Sequence, residues 1–584
     1  MGYWKKAISL ITVAALLTGS VLTGCSKPAP GASSKAASGG SSGGAPAAVS
    51  HATTLTIDVF DVAANYQGIQ NGWFGKVVQD KLNLKLNLIA PQVAGNGKTL
   101  FQTRSASGNL GDIVVLDNSD VVDCVKSNLV KNIAPDVWNY QYLKQFEKPL
   151  KAYNSQFGKG DDKVFAFPCE MTTTSPTTYS DILAYTSPQL PWDYYKELGA
   201  PKLNNLDDLL NVLSQMIKKH PKNPVGGKAY GITLWKDWDN TSIENVNQLT
   251  KWYGQEVNGS ILLGADGSIK PLTDDSGAYY KMLHFLFEAN QKGLVDPDSA
   301  TQNWDKAQSK MEAKSDYLFW YNWQKGFYNT NAKFDKDDGF ILAPLADMKI
   351  YQPSDNYYGN GRAFAVGSQV SGEKYARVME FLNWFCSPEG VDYEQPGIKD
   401  FNYKSTSDGK FALIHENDDA LMSNKKVPAA YGGGGYNDGT NKINTVILGA
   451  DSINPETKET YTSDFWSSTL SDEYNTKLWK EWSKKYNATN PVDYLKKNNQ
   501  ITILPNVNLL FQSDTTDIKL ARSQCGTEVC AVSWKMIFAN NETQFDQMWS
   551  QLKTTLKGLN WDEVVKYDTT KYQKVVDARK AAVQ

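Results

Sequence analysis

"TLTIDVF", residues 54–60, alternates Leu55, Ile57 and Val59 with polar neighbours, the period-two pattern of a strand with one covered face. It ends at Phe60 and Asp61, and a helical stretch near Trp73 to Lys81 follows. "LKLNLI", residues 84–89, repeats the alternation with Leu84, Leu86 and Leu88. "GDIVVLD", residues 111–117, carries a continuous apolar run from Ile113 to Leu116, which suits a strand covered on both faces. Strands and helices alternating in this order predict a parallel sheet with right-handed crossovers. Ligands of such sheets sit outside the carboxyl ends of the strands, so Asp61, Asp117 and Asn118 are expected on one rim.

Towards the N-terminus, Lys5 and Lys6 precede the apolar segment "AISLITVAALLTGSVL", of secretory length and too short to remain as a spanning helix. Leu22-Thr23-Gly24-Cys25 resembles the lipobox of bacterial lipoproteins, whose cysteine is acylated and becomes the mature N-terminus. Residues 1–24 are therefore expected to be a signal peptide and Cys25 a lipid attachment point. Residues 25–50 are rich in Ser, Gly, Ala and Pro and lack the apolar side chains needed to offset ordering entropy, so they read as a flexible linker. Together these features predict a protein held at the extracellular face of a cell membrane through its lipid alone.

Charge is nearly balanced, 60 Lys+Arg against 63 Asp+Glu, with no basic block, which argues against a nucleic-acid partner. The chain is rich in rings, with 17 Trp and 30 Tyr beside only 4 His, a composition that suits flat ligands with polar edges such as sugars as well as core packing. Beyond Cys25 the cysteines are Cys124, Cys169 and Cys386, which sit among apolar neighbours as buried thiols, and Cys525 and Cys530, which are spaced either to pair across a short loop or to stay free. No Cys/His spacing suggests zinc, and no cofactor motif is present.

Further along, "NNLDDLLNVLSQMIKKHP" has Leu206, Leu209, Leu210, Leu213, Met216 and Ile217 at helical spacing, between an Asn start and a Pro221 stop. Tyr279, Met282, Leu283 and Leu286 repeat the pattern, as do Phe545, Met548, Trp549, Leu552 and Leu556. These stripes face a core. Strand signals recur at "YGITLW", "DYLFWY", "GFILAPL" and "RAFAVG", keeping helices and strands interleaved.

At "KLNLKLNLIAPQ", "SASGNLGDIVVLD", "PWDYYKELGAPKLNNLDDLL", "EANQKGLVDPDSA" and "VMEFLNWFCSPEG" the chain resembles the family 1 extracellular solute-binding proteins. Among these it is similar to the large Gram-positive lipoproteins that serve oligosaccharide ABC importers. The resemblance implies an α/β, two-lobed periplasmic-binding-protein-like fold of type II, with a hinge and a ligand cleft between the lobes. On this basis residues 51–168 and 345–400 are expected to build lobe 1, and 169–344 and 401–584 lobe 2. The crossings are then expected near "FAFPCEM", residues 165–171, and "FILAPL", residues 340–345.

Carried over by position, the resemblance implies polar ligand contacts at Asp61, at Asp117 or Asn118, and at Glu170 just past the first crossing. It implies aromatic contacts at Trp235 and Trp238 in "YGITLWKDWDN", where Asp237 and Asp239 argue for exposure and Asp237 is itself a candidate ligand contact, and at Trp320 and Trp323 in "LFWYNWQ". Tyr358 and Arg362 in "DNYYGNGRAF" are further candidates, with Gly359 and Gly361 permitting close backbone approach. Some oligouronate-binding relatives carry a calcium loop after the helix that here ends at Lys219, but "HPKNPVGGKAYG" offers no carboxylate there. The expected function is the monomeric binding component of an ABC importer, which delivers an unaltered oligosaccharide to permease subunits. The rival is a lipid-anchored glycosidase or lyase. Hydrolysis needs a carboxylate pair, which 63 acids could supply, but HExxH, G-x-S-x-G and phosphate-cradling motifs are absent. No enzyme activity is expected.

Overall fold

The computed structural model describes residues 49–93, 97–414 and 424–583. The expected signal segment, Cys25 and the linker up to residue 48 lie outside the described residues. Six strands form the larger sheet in the spatial order Gly68–Ile69, Leu84–Ile89, Leu55–Asp61, Ile113–Asp117, Arg362–Val366, Ala166–Pro168. The strands from the opening stretches pair in parallel, Leu55 opposite Leu84 and Val59 opposite Ile113. Arg362–Val366 enters antiparallel with Arg362 opposite Asp117, which brings a residue far along the chain to the rim.

The apolar run Ile113–Leu116 is fully buried, and its side chains divide by parity as a pleated strand requires. Ile113 and Val115 join one cluster with Trp73, Phe74 and Val78 of the helix Gly72–Leu82 and with Val378, Met379 and Phe381 of the helix Gly372–Phe385. Val114 and Leu116 join the other, with Val121, Cys124 and Val125 of the helix Asn118–Lys126.

A separate large core surrounds a three-stranded antiparallel sheet in the order Phe319–Tyr321, Thr186–Pro191, Phe340–Leu342. The helical stripes read from sequence line it. In the helix Leu206–Lys219, Leu206, Leu209, Leu210, Leu213 and Met216 are buried. The Asn205 side chain accepts from the Asp208 amide at 3.1 Å, and Lys218 and Lys219 fall in the last turn, both favourable at their ends. The helices Ala278–Gln291 and Glu542–Gly558 pack the same way. "YGITLW" forms no regular strand. It makes single parallel bridges, Tyr230 to Asp316 and Ile232 to Val295.

The cores do not follow the expected limits. Ala166–Pro168 is still an edge strand of the larger sheet, and Phe340–Leu342 belongs to the smaller one. Leu345, Met348 and Ile350 remain in the second core, while Val427, Tyr436, Ile443, Ile447, Leu448 and Tyr461 pack with the first. The chain passes between the cores after Met171, after Ile350 and after Tyr461. A fourth segment beyond Leu504 runs back, so that Leu510 packs against the larger sheet.

These passages are bonded to one another. The Asp355 amide donates to Thr178 O at 2.7 Å, and the Asn506 amide and Ser354 hydroxyl both donate to Pro176 O at 2.7 Å. The Tyr358 amide donates to Asn506 Oδ1 at 2.6 Å. Gly359 sits at φ +79° and lies so close to Pro168 that a Cβ would meet its ring carbon at 2.3 Å, so both backbone angle and space demand glycine.

Cys525 and Cys530 lie in one helix, Thr516–Ile537, and both are free thiols. Five residues apart on a helix, their side chains point in divergent directions. Among the described residues no helix is long and apolar enough to cross a membrane, and no group of three or more His, Cys, Asp or Glu is arranged to hold a metal ion.

Candidate functional site

The carboxyl ends of the larger sheet bring Asp61, Asp117, Glu170 and Arg362 together. Asp61 is completely buried, and its carboxylate accepts from the amides of Ala63 at 2.8 Å and Asn444 at 3.0 Å. Burial raises its pKa, opposed by those amides and by the Arg362 guanidinium. It therefore fastens the segment 440–448 to the rim and offers no face to a ligand, contrary to expectation. Asn118 is also engaged. Its Oδ1 accepts from Tyr153 OH at 2.7 Å and its Nδ2 donates to Asn508 Oδ1 at 2.9 Å.

Glu170 occupies the left-handed region at φ +58°, an uncommon setting for this residue type. Its Oε2 accepts from Asn360 Nδ2 at 2.6 Å, and burial raises its pKa against the pull of Asn360 and Arg362. Arg362 Nε donates to Asp117 Oδ1 at 3.0 Å, with both side chains substantially exposed. Tyr358 is half-buried, its ring edge-on to Tyr357 at 4.9 Å.

The second core contributes a wall of rings. Trp235 and Trp320 are fully buried and stack face to face at 5.5 Å and 5°, with Tyr321 beside them. These rings were expected at the ligand surface, and the structure makes them a base instead. Over that base lie Trp238, 38% exposed, and the half-buried Trp304 and Trp323. Their centroids stand 4.9 Å (Trp238 to Trp304), 5.3 Å (Trp304 to Trp323) and 6.0 Å (Trp238 to Trp323) apart. Tyr185, 39% exposed, extends the surface at 5.8 Å from Tyr321.

Asp237 is exposed, and one of its carboxylate oxygens is engaged. Its Oδ1 accepts the Trp304 amide at 2.9 Å, which holds Trp304 at the start of the helix Trp304–Glu312. Asp239 accepts from Trp534 Nε1 at 2.7 Å, and burial pushes it up to about 6. Trp304 and Tyr185 escaped the sequence reading. The Asn303 cap before Trp304 marks a helix start, where a first residue is often exposed, but nothing local marks Tyr185.

Carboxylates on the passages connect rim and wall. Asp355 accepts from the Ser180 amide at 3.0 Å and hydroxyl at 2.6 Å. Asp181 accepts from the Leu183 amide and from Asn322 Nδ2, both at 2.7 Å, and burial pushes it up to about 6. Asp451 is raised to about 7 by burial, with repulsion from Asp355, Asp181, Glu170 and Asp464 adding to the rise. Asp451 thus feels both Glu170 of the rim and Asp181, and Asp181 holds Asn322, the neighbour of Trp323. Exposed indoles of this kind can stack the apolar face of a flat ligand, and polar groups of the rim kind can bind a polar edge by hydrogen bonds.

The family model described as bacterial extracellular solute-binding protein matches residues 80–392. No curated protein matches the chain. Among solved structures, the chain resembles the alginate-binding protein AlgQ2, crystallised without calcium ion, at 14% identity and TM-score 0.58, over 90% of this chain and 98% of that one. It resembles the Streptococcus pneumoniae ABC-transporter substrate-binding protein FusA in complex with kestose at 14% identity and TM-score 0.57, over 90% and 99%. It also resembles an HMO-binding, ABC-transporter-associated solute-binding protein from Bifidobacterium longum infantis at 12% identity and TM-score 0.57, over 90% and 99%. The chain belongs to the bacterial extracellular solute-binding proteins.

Proposed function

We propose that the protein is the substrate-binding component of an ABC importer and that it grips an oligosaccharide between two lobes. Lobe 1 is built on the larger sheet, from 51–171 and 363–461, and lobe 2 on the second core, from 182–350 and 478–584. The bonded passages act as the hinge on which the lobes close over the sugar. Trp238, Trp304, Trp323 and Tyr185 take the C–H faces of pyranose or furanose rings, while Asp117, Glu170, Tyr358 and Arg362 take hydroxyls. The ligand leaves unaltered for the permease, and the protein works as a monomer tethered to the outer face of the membrane through acylated Cys25.

The observation that carries this reading is the wall of four partly exposed rings on a buried aromatic base. The kinship to proteins whose structures hold kestose or are described as HMO-binding supports it. The test is a thermal-shift screen over glycans with Trp fluorescence, followed by recovery of the bound sugar. One class of oligosaccharide is expected to raise the melting temperature and quench the indoles, and to be recovered at its original length. Shortened or unsaturated sugars would make the protein an enzyme.

A further inference from the structure

Between the strand Ile501–Leu504 and the helix Thr516–Ile537, residues 505–515 form neither helix nor strand, and side chains fix this strap in place instead. The elements on either side of it belong to the second core, through Ile501 and through Cys525 and Val529. In between, the strap crosses to the larger sheet. There Gln156 Nε2 donates to Asn508 O at 3.0 Å while the Leu510 amide donates to Gln156 Oε1 at 2.8 Å, so one side-chain amide pairs with the strap as a neighbouring strand would. At the far end Asp514 accepts from Arg522 Nε at 2.7 Å, and Arg522 forks onto the buried Asp568 at 2.7 and 2.8 Å. That bidentate pair ties the strap to the helices Thr516–Ile537 and Trp561–Ala582.

Two asparagines of the strap grip one turn of the rim. Asn508 Nδ2 donates to Tyr358 O at 3.0 Å and to Asn360 O at 2.9 Å. Asn506 accepts the Tyr358 amide at 2.6 Å and donates to Gly359 O at 3.4 Å. Asn508 Oδ1 also accepts from Asn118 Nδ2 at 2.9 Å, so a single side chain joins the residue after Ile113–Asp117 to the turn before Arg362–Val366. Both of its N–H groups and its oxygen are used in doing so. Asn360 in turn donates to Glu170 Oε2 at 2.6 Å. Asp117, Glu170, Tyr358 and Arg362 therefore all lie within one hydrogen bond or two residues of a residue that Asn508 holds.

We infer that Asn508 is a positioning residue for ligand binding, which fixes the rim side chains relative to one another while touching no ligand itself. This rests on the oligosaccharide reading above and names what keeps its polar contacts in register. Contacts held in place before the ligand arrives need no ordering when it binds, and so contribute more of their strength to affinity. Because the strap is fastened at its far end by Asp514, the rim answers to the two C-terminal helices as well as to its own sheet.

The experiment combines calorimetry with amide hydrogen exchange on the wild type, Asn508→Ala and Asp514→Ala, the last of which touches no rim residue and leaves the Arg522–Asp568 pair in place. Malto-, cello-, xylo- and fructo-oligosaccharides from disaccharide to hexasaccharide serve as probes, and melting curves report that the variants fold. Asn508→Ala is expected to weaken the ladder that binds about five- to ten-fold, as loss of one or two hydrogen bonds implies. In a Trp238→Ala background the same loss should recur. In a Tyr358→Phe/Arg362→Gln background it should shrink to less than about two-fold, since the groups it positions are gone. A merely structural Asn508 would lower the melting temperature and weaken binding equally in both backgrounds, which overturns the positioning role. Without ligand, the Tyr358 and Asn360 amides are expected to exchange about five- to ten-fold faster in both single variants, with the strand Leu55–Asp61 unchanged. Exchange unaltered at those two amides overturns the strap as their support, whatever the protein binds. Faster exchange with no sugar bound keeps the strap as that support and overturns sugar as what the rim holds.

Discussion

The rim of the larger sheet and the aromatic wall use their side chains in opposite ways. On the rim, Asp61 and Asn118 are engaged with backbone amides, Tyr153 and Asn508, so the polar groups mostly hold protein to protein. On the wall, buried Trp235, Trp320 and Tyr321 support Trp238, Trp304, Trp323 and Tyr185, which keep open area. The difference teaches that polarity at a strand end is not availability. Hydrogen-bonding groups near a sheet edge find partners in the protein, whereas a ring stacked on a ring still has a second face to offer.

The largest expected effects come from splitting the wall into base and surface. Trp235→Ala removes a ring with no exposure and should destabilise the fold by about 3–5 kcal/mol, read by denaturant melts. Trp238→Ala removes an exposed ring and should change stability by less than about 1 kcal/mol, while weakening oligosaccharide binding by roughly 1–3 kcal/mol in calorimetry. If the two variants behave alike, base and surface are one unit and the contrast with the rim dissolves.

That pair also marks what the sequence could tell. The strands at 54–60, 84–89 and 111–117 were legible because burial on a strand follows a period of two, and the parity of Ile113–Leu116 shows it at work. The helical stripes were legible for the same kind of reason, whereas Trp235, Trp238, Trp320 and Trp323 were singled out through the resemblance and not by local pattern. Which of those rings would be covered was not legible. Trp235 is buried by Trp238, three residues on, and by Trp304 and Trp320, which are distant in sequence. The crossings were misplaced for a similar reason. Phe165–Met171 and Phe340–Leu345 read as apolar transitions, yet whether an apolar run joins one core or the next depends on partners that local pattern does not contain. Asp181, Asp355 and Asp451 carry no local signal at all, because only folding brings them together.

The acidic groups on the passages can be probed through Asp451. Because burial and its acidic neighbours raise its pKa to about 7, the folded protein holds a proton that the unfolded chain has released above about pH 4. The folded state then binds more protons than the unfolded one across that window, so stability falls as pH rises from about 4 to about 7. Asp451→Asn cannot ionise. It is expected to melt higher than the wild type near pH 8, by on the order of 1–3 kcal/mol, and to match it near pH 4. Asp181, raised to about 6, keeps part of the slope in the variant. A variant less stable than the wild type near pH 8 would mean that Asp451 is charged and well solvated, and that its surroundings are wetter than its burial implies.

The smallest effect is expected at Asp117, the rim carboxylate that remains open. Its ion pair with Arg362 at 3.0 Å is exposed on both sides, and exposed pairs contribute about 0–1 kcal/mol. Asp117→Asn should therefore leave the melting temperature almost unchanged, since the amide can still accept from Arg362 Nε. Its carboxylate nevertheless has room for a sugar hydroxyl, and the substitution replaces a charge-assisted bond with a neutral one. Affinity is expected to fall by about 0.5–1 kcal/mol, less than for Trp238→Ala. If calorimetry finds Asp117→Asn the more damaging of the two, the rim is the principal grip, and the wall serves to orient the sugar for it.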